Sequence, residues 1–332
     1  MLRMQLPPAT FLLSFLRALK ITATGRLTKG PRLPSWSPLF ELCVEALRVN
    51  SESLSALSIQ AARASWDRSS SFDPAIKQVV RQPTTIAGIG CEWFRPTTSV
   101  RSDAQTLLYL HGGGYCIGST DTHAGLIARL TLAHGGPTLG VNYRLAPEHK
   151  FPAALEDALA VYRGLLGSGQ APDRLIVGGD SAGGGLTLAL LLKLRELGLP
   201  QPRAALLLCP WVDIMDSEGS VQRNAAYDWM KPGQPQLWAE YYLPSGHDGK
   251  APLVSPLYAD LTGLPPLMVQ VGTAEMLYDQ VMRFAQRARE AGVKLTLDEA
   301  QDMIHDWHLL APFFPHCQAA IDRLAAFMRK PD

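Results

Sequence analysis

Charge of one sign is missing from this sequence: 31 basic residues face 30 acidic ones, a formal net charge of +1 over 332 residues. Nucleic acids and anionic membranes are bound through an excess of lysine and arginine. Neither is the expected partner, and a small neutral molecule fits better. Paired cysteines are missing too. Cys43, Cys91, Cys116, Cys209 and Cys317 are odd in number, far apart and contain no CxxC. That spacing argues against a structural zinc site or a redox dithiol and for free thiols in a reducing cytoplasm. A membrane span is also lacking at the N-terminus. The apolar run 11–16 follows Arg3 but stops at Arg17, short of the roughly 18 residues a span needs, and no small-x-small cleavage site follows it. Phe11, Phe15 and Leu19 share one face of a helix, so an amphipathic helix lying over the protein is expected, with no stable membrane insertion.

What is present is a globular composition, 47% hydrophobic and 18% charged. The first 75 or so residues read as amphipathic helices, broken by the turn Gly30-Pro31-Arg32-Leu33-Pro34. After them, short β-prone runs at 106–110, 138–143, 175–177, 205–208, 267–271 and 293–297 alternate with helical stretches such as 153–166, 184–197 and 280–291. Such alternation predicts an α/β fold with a mostly parallel central sheet flanked by helices, and continuous apolar runs suit strands covered on both faces. One interval breaks the rhythm. Nearly sixty residues separate the run at 208 from that at 267, too many for a structureless loop. With Trp229, Trp238, Tyr241 and Tyr242 in it, the interval is too aromatic for disorder. Residues 215–248 are therefore expected to form an inserted helical segment that joins the helices of residues 1–75 as a cap. Residues 76–214 and 249–332 then form the main α/β domain.

Gly179-Asp180-Ser181-Ala182-Gly183 fits G-x-S-x-G between a strand and an apolar helical stretch. A sharp strand-to-helix turn projects the serine oxygen and aims a helix N-terminus at developing negative charge. His111-Gly112-Gly113-Gly114 follows the strand at 106–110. Its glycine amides can converge on an oxyanion, each such donor lowering the barrier by ~3 kcal/mol. Gly113 and Gly114 are the expected donors, with Ala182 as the third. A phosphate loop would end in lysine, and none is there.

A serine needs a base, and in this fold the partners follow in the order serine, acid, histidine. That order removes His111, His123, His134 and His149, and His247 precedes the best acids. His305, in the polar loop past the last strand, is the expected base, ahead of His308 and His316. For the acid, Glu275 and Asp279 both follow the strand at 267–271 at a suitable distance. Glu275 is preferred and Asp279 is the alternative. The acid fixes the imidazole tautomer and stabilises the imidazolium.

Three blocks together resemble the bacterial hormone-sensitive-lipase family of esterases, in its GDSAG branch: His111–Gly114, Tyr143–Glu148 with Phe151–Ala154, and Gly179–Gly184. The resemblance runs from about residue 80 to the end. It implies an α/β-hydrolase core under a helical cap, and a carboxylesterase that hydrolyses short to medium acyl esters through an acyl-enzyme, with no cofactor and no metal. There are two departures. Where the family shows Asp-Pro-Leu-x-Asp this chain has Glu275-Met276-Leu277-Tyr278-Asp279, and where it shows His-Gly-Phe the chain has His305-Asp306-Trp307. Tyr115, Trp211 and Trp229 are candidate walls of the acyl pocket. The same triad could serve a lactonase, deacetylase or amidase. A non-enzymatic binding protein would be expected to have lost the serine or the histidine. The last strand, read as a sheet edge, is a candidate homodimer contact.

Overall fold

The computed structural model describes residues 9–55, 57–69 and 73–331. The expectations for residues 1–8 and for the Phe11 side chain lie outside the described residues. Among the described residues the apolar runs pair into one eight-stranded sheet in the order β1-β2-β4-β3-β5-β6-β7-β8. The strands are β1 (Val79–Ile86), β2 (Ile89–Pro96), β3 (Thr106–Leu110), β4 (Thr138–Val141), β5 (Leu175–Asp180), β6 (Ala204–Leu208), β7 (Leu267–Gly272) and β8 (Leu295–Ala300). All pairings from β4 to β8 are parallel, while β1 and β2 are antiparallel additions at one edge. Every residue of β3 to β7 is buried, which is why these strands read as unbroken apolar runs.

Two strand expectations are corrected. The hairpin β1–β2 was not anticipated. Pro83 and a half-exposed side-chain pattern hide β1, but a proline is tolerated on an edge strand. The hairpin closes through Ala87 and Gly88, both at positive φ (51° and 81°), as a two-residue turn matched to strand twist requires. The last strand starts at Leu295, not at residue 293. The Val293 amide donates to Ala288 O at 2.9 Å, so Val293 still belongs to the helix end.

Helices α1 (Ala9–Lys29), α2 (Pro38–Ser55) and α3 (Ile59–Ser69) precede the sheet. Within and after it come α4 (Ala124–His134), α5 (Ala153–Gly167), α6 (Ala182–Glu196), α7 (Ser220–Arg223), α8 (Gln234–Tyr242), α9 (Tyr278–Glu290) and α10 (Pro315–Arg329). Strand order reverses at β3: the chain steps outward to β4, then back past β3 to β5 and on to β8. Right-handed crossovers therefore put α4 on one face and α5, α6 and α9 on the other. Consistent with this, α4 packs with α10, and α5 packs with α6. The reversal opens a crevice at the carboxyl ends of β3 and β5, where such sheets bind ligands.

The N-terminal helices and the 215–248 segment hold each other over that end. The Arg48 guanidinium donates to the carbonyls of Ala225 and Asp228, Ser51 Oγ donates to Gln234 Oε1 at 3.1 Å, and Trp66 lies 6.3 Å from Trp229, ring to ring. Lys150 anchors α8 from the catalytic domain. Its ammonium donates to the carbonyls of Glu240, Tyr241 and Leu243 at 2.9–3.0 Å, a cation on the last orphan carbonyls of a helix. Lys150→Met should cost about 1–2 kcal/mol, read as a fall of roughly 2–4 °C in thermal midpoint. An unchanged melting curve would show that these bonds stabilise nothing. No helix among the described residues is long and apolar enough to cross a membrane, and all five cysteines are free.

Candidate active site

β5 ends by delivering Ser181 into a backbone conformation (φ 52°, ψ −120°) that L residues rarely adopt. The flanking glycine follows from the packing of β3 against this turn: a Cβ on Gly183 would lie 2.0 Å from Leu110 O. Only hydrogen fits there. The next residue, Ala182, is the first of α6, so its amide has no acceptor within the helix. Facing it is the loop after β3. Gly113 and Gly114 there have φ of 112° and 60°, and a Cβ on Gly113 would meet Ile117 O at 2.2 Å.

Asp180 ties the two loops together, and the sequence reading gave it no role. Its Oδ1 accepts from Tyr109 O–H at 2.6 Å and from the Gly112 amide at 3.0 Å, and its Oδ2 is 3.1 Å from His123 Nε2. Burial alone would raise this carboxyl, but His123 and the Tyr109 hydroxyl outweigh it and hold the group near 2. His123 is pushed up in return, burial opposing and Asp180 prevailing. His111 stacks on Tyr143 at 4.3 Å, and burial drives it down to about 3, so it is neutral. The motif position between glycine and serine was the only signal for Asp180.

His305 comes from the loop after β8, and its Nε2 sits 2.8 Å from Ser181 Oγ. Behind it Nδ1 is 3.9 Å from Glu275 Oε2, outside hydrogen-bond range. His305 Nδ1 and Glu275 Oε1 are both buried without a partner. Glu275 is fully buried, and its Oε2 accepts the Gly272 amide at 3.2 Å. Asp279 is turned elsewhere. It accepts the Ser220 amide at 2.8 Å and pairs with Arg223 at 2.7 Å. His308 contacts Gln270 Oε1 at 2.8 Å, and His316 packs beside Phe40 and Phe314.

Asp228, in the 215–248 segment, was also missed. It is fully buried and accepts three backbone amides: Trp229 at 2.7 Å, Met276 at 2.7 Å and His305 at 3.2 Å. One carboxylate thus fixes both loops that carry Glu275 and His305. Burial raises it to about 6 against the pull of His305. Nothing in Tyr227-Asp228-Trp229 signals this, because its partners are main-chain groups far away in sequence. Around His305, burial opposes the charge, but Asp306, Glu275 and Asp228 together lift the imidazole to about 10.

A narrow cavity of about 20 Å³ reaches Ser181, with Trp66, Trp229, Met230, Trp238 and Leu309 among its walls, room for roughly one water. Trp229 also donates from Nε1 to His305 O at 2.7 Å. Tyr115 and Trp211 are not among these walls. Tyr115 stacks on Tyr242 at 3.9 Å and lies 6.1 Å from Trp211, and both Tyr115 and Trp211 are buried. Cys209, Glu275 and His305 have donor atoms within 4.8 Å of one another. Burial pushes the Cys209 thiol well above its ordinary value, and metals bind the thiolate. The cluster therefore suits proton transfer better than a metal.

A family model for the alpha/beta hydrolase fold matches residues 107–309. The chain is similar to an acetyl-hydrolase of Streptomyces hygroscopicus, 39% identical over 294 residues that cover 88% of this chain and 97% of that one. Among solved structures it is similar to an esterase from the bacterial hormone-sensitive lipase family, with TM-score 0.82 and 39% identity over 90% of this chain and 99% of the other. It is also similar to EstE5 soaked with p-nitrophenyl butyrate, with TM-score 0.79 and 36% identity over 96% and 98% of the two chains.

Proposed function

Since this chain belongs to the bacterial hormone-sensitive-lipase group of the α/β-hydrolase family and is a carboxylic-ester hydrolase, we propose that it works through an acyl-enzyme on Ser181. His305 is the general base and Glu275 the acid behind it. The observation that carries this reading is the 2.8 Å contact between His305 Nε2 and Ser181 Oγ at a strained strand-to-helix turn. His305 takes the hydroxyl proton as Oγ attacks the ester carbonyl. The amides of Gly113, Gly114 and Ala182 receive the oxyanion, and the alcohol leaves with the proton from Nε2. Water, deprotonated by the same nitrogen, then releases the acid.

The helices α1, α2 and α3 and the segment 215–248 act as the cap. Their aromatic side chains narrow the cavity, so substrate entry requires Trp66, Trp229 and Trp238 to shift, as lid elements do in other enzymes. The resemblance to the hormone-sensitive-lipase family supports short to medium acyl chains, and the tryptophan walls offer them an apolar surface once they part. Two relatives point the same way, being named acetyl-hydrolase and ethyl acetate hydrolase. Hydrolysis of p-nitrophenyl esters from acetate to palmitate should give kcat/KM that peaks at the short end and falls toward palmitate. A rise toward palmitate would overturn the chain-length reading, and no hydrolysis of any ester would overturn the esterase mechanism.

A further inference from the structure

Asp306, directly after the proposed general base, stands apart in four respects. Its backbone is left-handed (φ 51°, ψ 39°), a conformation aspartate adopts more readily than most L residues. Its Oδ2 lies 3.2 Å from His305 Nε2, the same nitrogen that meets Ser181 at 2.8 Å. Its Oδ1 is buried with no partner, and the residue borders the cavity at Ser181.

We propose that Asp306 shares the Nε2 proton of His305, competing with Ser181 for the general base and setting the pH above which the serine is activated. This rests on the triad reading above. With Nδ1 turned toward Glu275, the imidazole has one nitrogen left for chemistry. When Nε2 is protonated its N–H points at the Asp306 carboxylate, and the base is spent. When the proton moves to Asp306, Nε2 is bare and accepts from the Ser181 hydroxyl. The two forms have the same composition and net charge, and differ only in which atom carries the proton. A third form, with both groups deprotonated, also has a free base and becomes dominant as pH rises.

Other ionisable groups surround the pair on every side: Glu275 after β7, Asp228 from the cap, Asp180 and Cys209 at the ends of β5 and β6, Tyr109 on β3, His123 before α4, and His308 in the next turn. Glu275 and Asp228 favour the imidazolium, Asp180 opposes a charge on Asp306, and His123 favours one. Burial lifts the Asp306 carboxyl well above its usual range against the pull of His305. Both members of the pair are thus driven to hold a proton, and only one lies between them, so the dyad titrates as a unit. Removing the Asp306 carboxylate takes away the nearest stabiliser of the imidazolium. The base is then free at lower pH.

Asp306→Asn keeps the shape without the charge. Asp306→Gly removes the side chain and suits the left-handed backbone. In each variant the His305 ring should be titrated by nitrogen-15 NMR of the intact protein, alongside kcat/KM for p-nitrophenyl acetate against pH. The His305 midpoint should fall by about one pH unit or more in both variants, and the acid limb of kcat/KM should move down with it. At a fixed pH on that limb, the rate should rise about tenfold for each pH unit by which the midpoint falls. A folded variant whose His305 midpoint stays at the wild-type value overturns the proposal. If no ester is turned over at all, the esterase mechanism fails, while the NMR titration still decides the proton sharing.

Discussion

Ser181→Ala should lower kcat by about a millionfold, or about 8 kcal/mol of transition-state stabilisation, while the protein stays folded. The second half of that expectation is as specific as the first. The Ser181 hydroxyl contacts His305 Nε2, whereas its backbone amide and carbonyl hold the turn through Leu208 O at 2.9 Å, Gly185 N at 3.1 Å and Trp211 N at 2.9 Å. Alanine keeps every main-chain bond and loses only the nucleophile. His305→Ala should cost about as much, and the double mutant little more, because the two side chains perform one step together. Rapid mixing with p-nitrophenyl acetate should show a burst of p-nitrophenolate in wild type and none in either variant. A Ser181→Ala protein with more than about a hundredth of the wild-type rate would be incompatible with an acyl-enzyme on this residue, since oxyanion stabilisation and binding alone leave far less.

The legibility of this site in the sequence divides along a physical line. Ser181, Gly113, Gly114 and Ala182 could be nominated because they lie in two short contiguous motifs, and positions where a Cβ would strike a neighbouring segment must be written in glycines. The central strands could be found because burial on both faces leaves unbroken apolar runs. What stayed hidden depends on partners distant in the chain. Asp228 is an ordinary acid until folding brings the amides of Met276 and His305 to it. Asp180 sat inside the motif, yet its bonds to Tyr109, Gly112 and His123 could not be anticipated from its neighbours. Tyr115 and Trp211 illustrate the converse. An aromatic next to a motif can as well be packing: Tyr115 stacks on Tyr242, Trp211 lies tilted beside Tyr115, and neither lines the cavity at Ser181. Hairpin β1–β2 escaped because a half-exposed edge strand carrying Pro83 lacks both the alternation and the apolar run that mark strands.

Glu275→Ala should lower kcat by about 10⁴-fold, and Asp279→Ala by no more than a few-fold. The two carboxylates are only four residues apart but do different work. Asp279 holds α7 through Ser220 and Arg223, so its loss should appear in the melting curve. Glu275 is fully buried behind His305, and the unpartnered Nδ1 has that carboxylate, at 3.9 Å, on its far side from Ser181. Closing the gap by about 1 Å would complete the bond, and catalytic hydrogen bonds are often long before substrate binds. Glutamate has one methylene more than the aspartate of the family pattern, and that length is part of the geometry. Glu275→Asp should therefore widen the gap and lower kcat substantially, although the charge is kept. Asp228 offers no substitute, because it faces the His305 amide rather than the ring nitrogen. If Glu275→Ala and Glu275→Asp both retain most of the wild-type kcat, the imidazole is oriented by another group, and the triad assignment fails at its third member while Ser181 and His305 keep their roles.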